Sequence, residues 1–295
     1  MTNTVVASRA VMRIGERRFE WGTRTFVMGV LNVTPDSFSG DGVAHDAEGL
    51  DAKVAEMVDA VPDIIDVGGE STRPGSDQIS ADEEIARIMP AFEALHGAGW
   101  EFPISIDTRK SAVARVALAQ GVTLVNDVSG GTYDPEILDV TAAGGAAFVV
   151  THNRRGEVRQ SGIGSHQSHV AYDDLIQDVW QDGQRLLGTA RRAGIPSDRL
   201  LFDPGFGFGK SPDQNVELLR DMGALRSIGV PILVGVSRKS FVGYVLDLPA
   251  GDRVEGSLAA AVIAVGNGAD VVRTHDVTAT RRAVAVADAI YRPGC

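Results

Sequence analysis

Short apolar, β-branched runs alternate with longer amphipathic stretches along the chain. The runs are Thr25–Leu31, Asp63–Val67, Phe102–Ile106, Val122–Val125, Ala146–Val150, Leu200–Phe202, Val230–Val236 and Asp270–Val272. Stretches with helical spacing follow them, near Ala47–Ala60, Ala81–His96, Arg109–Ala119, Pro135–Ala143, Tyr172–Ala193, Asp213–Leu225, Gly256–Gly266 and Val277–Tyr291. Near-continuous apolar strands suit a parallel sheet covered on both faces. Eight strand–helix units predict an α/β fold, a (β/α)8 TIM barrel. An open doubly wound sheet is the alternative. Its Gly-rich phosphate fingerprint is missing after the first run, where Asn32-Val33-Thr34-Pro35-Asp36 stands. Val5–Trp21 alternates around Ile14-Gly15-Glu16, which predicts a short N-terminal β-hairpin that closes the barrel bottom. Residues 1–22 therefore read as an extension of a single domain over 1–295.

Composition narrows the function. Of 295 residues, 44% are hydrophobic and 23% charged, as in an ordinary globular chain. The net charge of −11 argues against nucleic acid and against a polybasic membrane contact. Any anion site must come from local basic groups. The single cysteine, Cys295, excludes an intrachain disulfide and a thiolate metal cluster. There is no signal-type N-terminal stretch, and no apolar run approaches a membrane span, so the cytoplasm is the expected compartment.

In a barrel the C-terminal strand ends converge on one mouth. Here they carry Asn32, the Gly68-Gly69-Glu70 segment, Asp107, Asn126 with Asp127, His152, Asp203, Ser237-Arg238-Lys239, and Arg273 with His275. Asp107, Asn126 and Asp203 suit a flat ring with amino and amide N–H donors, because a carboxylate accepts two such bonds side by side. Arg238, Lys239, Arg273 and His275 form a basic half suited to an anion. Two Gly- and Pro-containing loops, Thr34–Gly42 and Ser71–Gly75, read as lids. Gly205–Ser211 imitates a phosphate loop but has Pro204 where its first glycine belongs. Asp173, Asp174, Asp178 and Asp182 read as a solvated helix face. The His166/His169 pair reads as part of a solvated loop, Asn153–His169.

Seven blocks, in order, carry a resemblance over about Thr25 to Ala289. They are Asn32–Ser39, Asp66–Gly75, Ser105–Thr108, Asn126–Gly130, Asp203–Lys210, Ser237–Ser240 and Arg273–Asp276. Together they resemble the motif set of the dihydropteroate synthase family of pterin-binding enzymes. The resemblance implies a transferase of folate biosynthesis and a sulfonamide target. Its reaction joins 6-hydroxymethyl-7,8-dihydropterin diphosphate to 4-aminobenzoate, giving 7,8-dihydropteroate and diphosphate. It also implies Mg²⁺, a (β/α)8 barrel and a homodimer. Carried over by motif, Asp107, Asn126, Asp203 and Lys239 bind the pterin and Arg273 stacks on it. Asn32 holds Mg²⁺ with the diphosphate, which Arg273 and His275 also bind. Thr72, Arg73, Pro74, Phe208, Lys239 and Ser240 border the aminobenzoate site, with Ser240 opening a helix. Asp107, Asp203, Lys239 and Arg273 are the expected catalytic set. Thr151 departs from the family, which commonly has Met there as an apolar floor for the pterin. Two other readings stay open: a degenerate pterin-binding paralogue without turnover, and a methyltetrahydrofolate–corrinoid methyltransferase.

Overall fold

A computed structural model describes residues 11–34, 47–71, 78–154 and 170–292. The chain opens with a hairpin, β1 (Val11–Ile14) against β2 (Arg17–Glu20), with Ile14 opposite Arg17. Gly15 turns it at φ +57°, in the left-handed region that favours glycine. Alternation puts Met12, Ile14 and Phe19 on the buried side.

Eight parallel strands follow: β3 (Phe26–Asn32), β4 (Ile64–Gly68), β5 (Ile104–Asp107), β6 (Leu124–Asp127), β7 (Ala147–Thr151), β8 (Leu200–Asp203), β9 (Leu233–Val234) and β10 (Val271–Thr274). They pair in the order β8-β7-β6-β5-β4-β3-β10-β9. A parallel bridge between Phe202 and Ile232 joins the two ends, where the Phe202 N–H donates to the Pro231 carbonyl at 2.9 Å. The sheet is thus a nearly closed barrel, as expected. The seventh strand, expected over Val230–Val236, is regular only at Leu233–Val234. Pro231 has no N–H to give a ladder.

Around the barrel lie α1 (Ala47–Asp59), α2 (Ala81–Gly97), α3 (Ser111–Ala119), α4 (Glu136–Gly144), α5 (Leu175–Arg192), α6 (Pro212–Asp221), α7 (Ser240–Leu246), α8 (Val254–Gly266) and α9 (Val277–Tyr291). Caps set several starts. Ser211 and Gln214 form a capping box at α6, with Pro212 in the first turn. That is what Ser211 does in place of holding phosphate. Asp174 caps α5, so the helix begins at Leu175, later than the expected Tyr172.

The core has two parts. Outward strand residues such as Val67, Ile106, Phe148 and Phe202 pack with Ile88, Phe92 and Leu187 of the helices. Inward residues such as Phe26, Met28, Ile64, Leu124 and Leu201 form a second cluster with Met12, Ile14, Phe19 and Trp21. The hairpin therefore plugs the barrel bottom and leaves the opposite mouth for a ligand. Among the described residues no helix is long and apolar enough to cross a membrane.

Candidate active site

Strand alternation decides what lines the mouth. Ile64, Leu124, Val149, Leu201 and Val271 belong to the apolar interior. Two residues further along the same sides stand Asp66, Asn126, Thr151, Asp203 and Arg273. The interior thus changes from apolar to polar at one level, beneath the strand ends.

Arg273 ties this level together. Its Nε donates to Asp66 Oδ2 at 2.6 Å and its Nη2 to Asp107 Oδ2 at 2.7 Å. Asn126 Nδ2 donates to the same Asp66 oxygen at 3.0 Å. Burial pushes the Asp107 carboxyl up to about 7, outweighing the pull of Arg273, and the nearby Asp66 carboxylate adds to the rise. The Asp66 and Asp107 charges in turn hold Arg273 above its ordinary value despite burial. Asp203 is buried, and burial raises its carboxyl although Oδ1 accepts from the Gly205 N–H at 2.7 Å and Lys239 lies near.

The loop after β8 is built on glycine. Gly205 has φ +75°, and a Cβ there would stand 1.8 Å from the His152 carbonyl oxygen. Gly207, at φ +78°, lies against the Lys239 side chain. The Lys239 ammonium sits 4.4 Å from the Phe208 ring centre, so the expected pterin lysine and aminobenzoate phenylalanine touch. Lys210 turns inward beneath this loop, reaching His152 Nδ1 at 2.9 Å and the Gly205 carbonyl at 3.0 Å. Burial brings Lys210 down to about 7 and His152 down to about 4. Asp182 does not lie on a solvated face. With His152 Nε2 at 3.3 Å and Arg154 Nε at 2.7 Å, it is held well below the usual carboxylate range.

The basic half is smaller than expected. Arg238, at φ +55°, turns to Asp276, with its Nε 3.1 Å from Oδ2. Burial, with Arg273 and Arg238 nearby, lowers His275 to about 4, which leaves it neutral. The backbone N–H of His275 donates to Ser237 Oγ at 3.2 Å, and Ser237 Oγ lies 3.0 Å from Nδ1. Lys239 and Arg273 are then the cations of the mouth among the described residues.

Two other strand-end acids serve the scaffold. Asp127 accepts from the N–H groups of Ser129 and Gly131, both at 2.7 Å, and so shapes the loop after β6. Glu70 pairs with Arg109 and Lys110. Gly68 separates Asn32 from Asp107, and a Cβ on it would stand 3.3 Å from Asn32 Oδ1 and 3.9 Å from Asp107 Oδ2. Ser240 opens α7, directly after Lys239. Thr151 faces the interior with its hydroxyl buried and without a partner among the described residues. Thr72, Arg73 and Pro74 lie outside the described residues, as do most of both lid loops and the His166/His169 pair.

The model of the pterin-binding enzyme family matches residues 28–275. Dihydropteroate synthase of Synechocystis sp. is 42% identical over 95% of this chain and 94% of its own. The chain belongs to the dihydropteroate synthase family. Among solved members, Xanthomonas albilineans dihydropteroate synthase with 4-aminobenzoic acid is 37% identical and superposes with a TM-score of 0.86, over 96% of this chain and 98% of that one. The same organism's dihydropteroate synthase in complex with 7,8-dihydropteroate is 35% identical with a TM-score of 0.82, over 95% and 98%. Within this family's barrel, Asp66 and Lys210 were not singled out by the sequence reading. Strand parity from Ile64 was the available signal for Asp66. For Lys210 none was, because its inward turn depends on the glycines before it.

Proposed function

We propose that the barrel mouth joins 6-hydroxymethyl-7,8-dihydropterin diphosphate to 4-aminobenzoate and releases diphosphate. The observation that carries this reading is the polar level of the interior. Asp107, Asn126 and Asp203 converge there around Arg273, with Lys239 beside Asp203. Asp107 and Asp203 accept the ring amino and amide N–H groups, and Asn126 supplies both a donor and an acceptor. Lys239 contributes an ammonium donor at the ring edge. Arg273 offers its face to the ring and its outer N–H groups to the diphosphate. Neutral His275, in the tautomer with its proton on Nε2, donates to a diphosphate oxygen. Phe208 and Lys239 form one wall for 4-aminobenzoate, which Thr72, Arg73, Pro74 and Ser240 complete.

The chemistry needs no covalent intermediate on the protein. The amine lone pair of 4-aminobenzoate forms the new C–N bond at the pterin methylene. The C–O bond to diphosphate breaks, diphosphate leaves with the bonding pair, and the amine releases its proton to solvent. Asp107 and Asp203 hold the ring while positive charge spreads into it from the methylene. The cations of the mouth stabilise the departing anion.

Asn32 fits a hard cation, because its amide oxygen looks across the side-chain-free Gly68 toward the same opening as Asp107. Mg²⁺ keeps several waters and takes substrate phosphates, so one neutral protein oxygen suffices. Asn32 would hold it together with the diphosphate, where it would supply neutralisation of leaving-group charge. A homodimer is proposed from α7–α9, where Tyr244, Val245, Ile263, Val286 and Ile290 are exposed on adjacent helices. One domain over 1–295 and a cytoplasmic compartment belong to the same proposal.

The test is turnover by the purified chain with both substrates and Mg²⁺. Dihydropteroate and diphosphate should appear one for one, and both should be lost in EDTA. Pterin binding without product would overturn the synthase reading.

A further inference from the structure

Asp66 stands at the centre of the polar interior, and none of the substrate contacts proposed above uses it. Its Oδ2 accepts from Arg273 Nε at 2.6 Å and from Asn126 Nδ2 at 3.0 Å. One oxygen thus grips two of the groups assigned to the ring. The residue is 0% exposed, and Oδ1 has no hydrogen-bond partner among the described residues. A buried mid-strand carboxylate between Ile65 and Val67 is costly for folding alone.

We infer that Asp66 is a positioning residue that fixes the sense of the Asn126 amide and the tilt of the Arg273 guanidinium. Through them it sets the donor and acceptor pattern that a pterin ring meets, so the inference rests on the ring site proposed above. The two ends of an Asn amide are alike in shape and are told apart by what they bond. Asp66 Oδ2, already accepting from the Arg273 guanidinium, offers Asn126 only an acceptor. It therefore takes one N–H of Asn126 and leaves Oδ1, with the second N–H, for a ligand. A turned amide would set two acceptors against each other in a buried site, with no proton between them. Arg273 is held at two corners, by Nε on Asp66 and by Nη2 on Asp107. A ring that bonds to Asp107 takes over the acceptor of Nη2. The bond of Nε to Asp66 then keeps the guanidinium at hand for the diphosphate.

The probe is the fluorescent 6-hydroxymethylpterin diphosphate, titrated against wild type, Asp66→Asn, Asn126→Asp and the double variant, with Tm recorded for each. Asp66→Asn keeps the shape but can bond either end of the Asn126 amide. It should weaken the probe about tenfold or more and leave KM for 4-aminobenzoate within about twofold. A role confined to stability would lower Tm and leave the affinity of the folded protein unchanged. Asn126→Asp sets two carboxylates together and should weaken binding by at least as much. In the double variant the new amide at 66 donates to the new carboxylate at 126 and returns an acceptor to the ring. Affinity should recover about fivefold or more over Asn126→Asp. If Asp66→Asn does not fold, that recovery carries the test alone. Binding by Asp66→Asn within about twofold of wild type, or no recovery in the double variant, would overturn this inference alone. A wild-type protein that fails to bind the probe would overturn both the inference and the proposed function.

Discussion

Removing the Arg273 guanidinium as Arg273→Met keeps most of the side-chain length and deletes both of its ion pairs. What remains is Asp66, 0% exposed, and Asp107, whose side chain is 10% exposed. Breaking a buried pair by deleting one partner typically costs ~3–5 kcal/mol, because a charge is left uncompensated. Two carboxylates lose their partner here, and Asp107 can lessen the cost by taking up a proton. Asp107 already has a carboxyl raised to about 7 with Arg273 present, and without it the value rises further. The sign follows. A carboxyl raised in the folded state gives a folded protein that binds more protons than the unfolded chain between about pH 4 and the folded value. Stability is therefore lost as pH rises through that window. The variant should be about 3–4 kcal/mol less stable than wild type near pH 8, and roughly 1–2 kcal/mol nearer to wild type near pH 5, where Asp107 is protonated. Urea unfolding followed by fluorescence of Trp21, Trp100 and Trp180, compared at equal m, measures this difference. A loss below ~1 kcal/mol near pH 8, or one that grows toward pH 5, would refute the reasoning.

Three further outcomes follow from the same geometry. Ring binding that ionises Asp107 should release about half a proton near pH 7, seen as a heat of pterin binding that depends on buffer ionisation enthalpy; no buffer dependence means that Asp107 does not change its charge. Gly205→Ala places a Cβ 1.8 Å from the His152 carbonyl oxygen and should cost about 2–4 kcal/mol in urea unfolding. Gly22→Ala, at φ +80° with nothing within 4 Å, should cost only ~1 kcal/mol, so equal losses would mean that the Gly205 loop is not tightly seated. Val286→Glu with Ile290→Glu should shift the chain from dimer to monomer in sedimentation velocity; an unchanged dimer would place the interface elsewhere.

The barrel was legible because the strand runs are largely apolar on both sides and most of the helices between them carry one apolar stripe. The hairpin was legible because Met12, Ile14 and Phe19 alternate with polar residues around one glycine. The mouth residues were found as strand ends, a rule that reaches only the last residue or two of each run. Asp66 lies deeper, in a strand that otherwise reads as continuous apolar sequence, and only alternation from Ile64 brings it inward. Charge alone grouped Arg238 with Arg273. A left-handed backbone at Arg238 sends it to Asp276, and no local residue pattern signals that turn. Asp182 read as solvated by helical spacing, because its partners His152 and Arg154 come from another strand end. Thr151 departs from the family pattern, and its buried hydroxyl has no partner among the described residues.

Titration of wild type and Asp203→Asn with 6-hydroxymethylpterin diphosphate in Mg²⁺ tests most directly whether the polar level of the barrel is a pterin site. Asp203 is buried, and among the described residues its Oδ1 accepts from the Gly205 N–H of its own turn, so the carboxylate can also serve ring N–H groups. A hydrogen bond to a charged group contributes about 1.5–3 kcal/mol, so wild type should bind one equivalent and Asp203→Asn should bind about ten- to a hundredfold more weakly. Equal affinity in the two proteins would contradict the account.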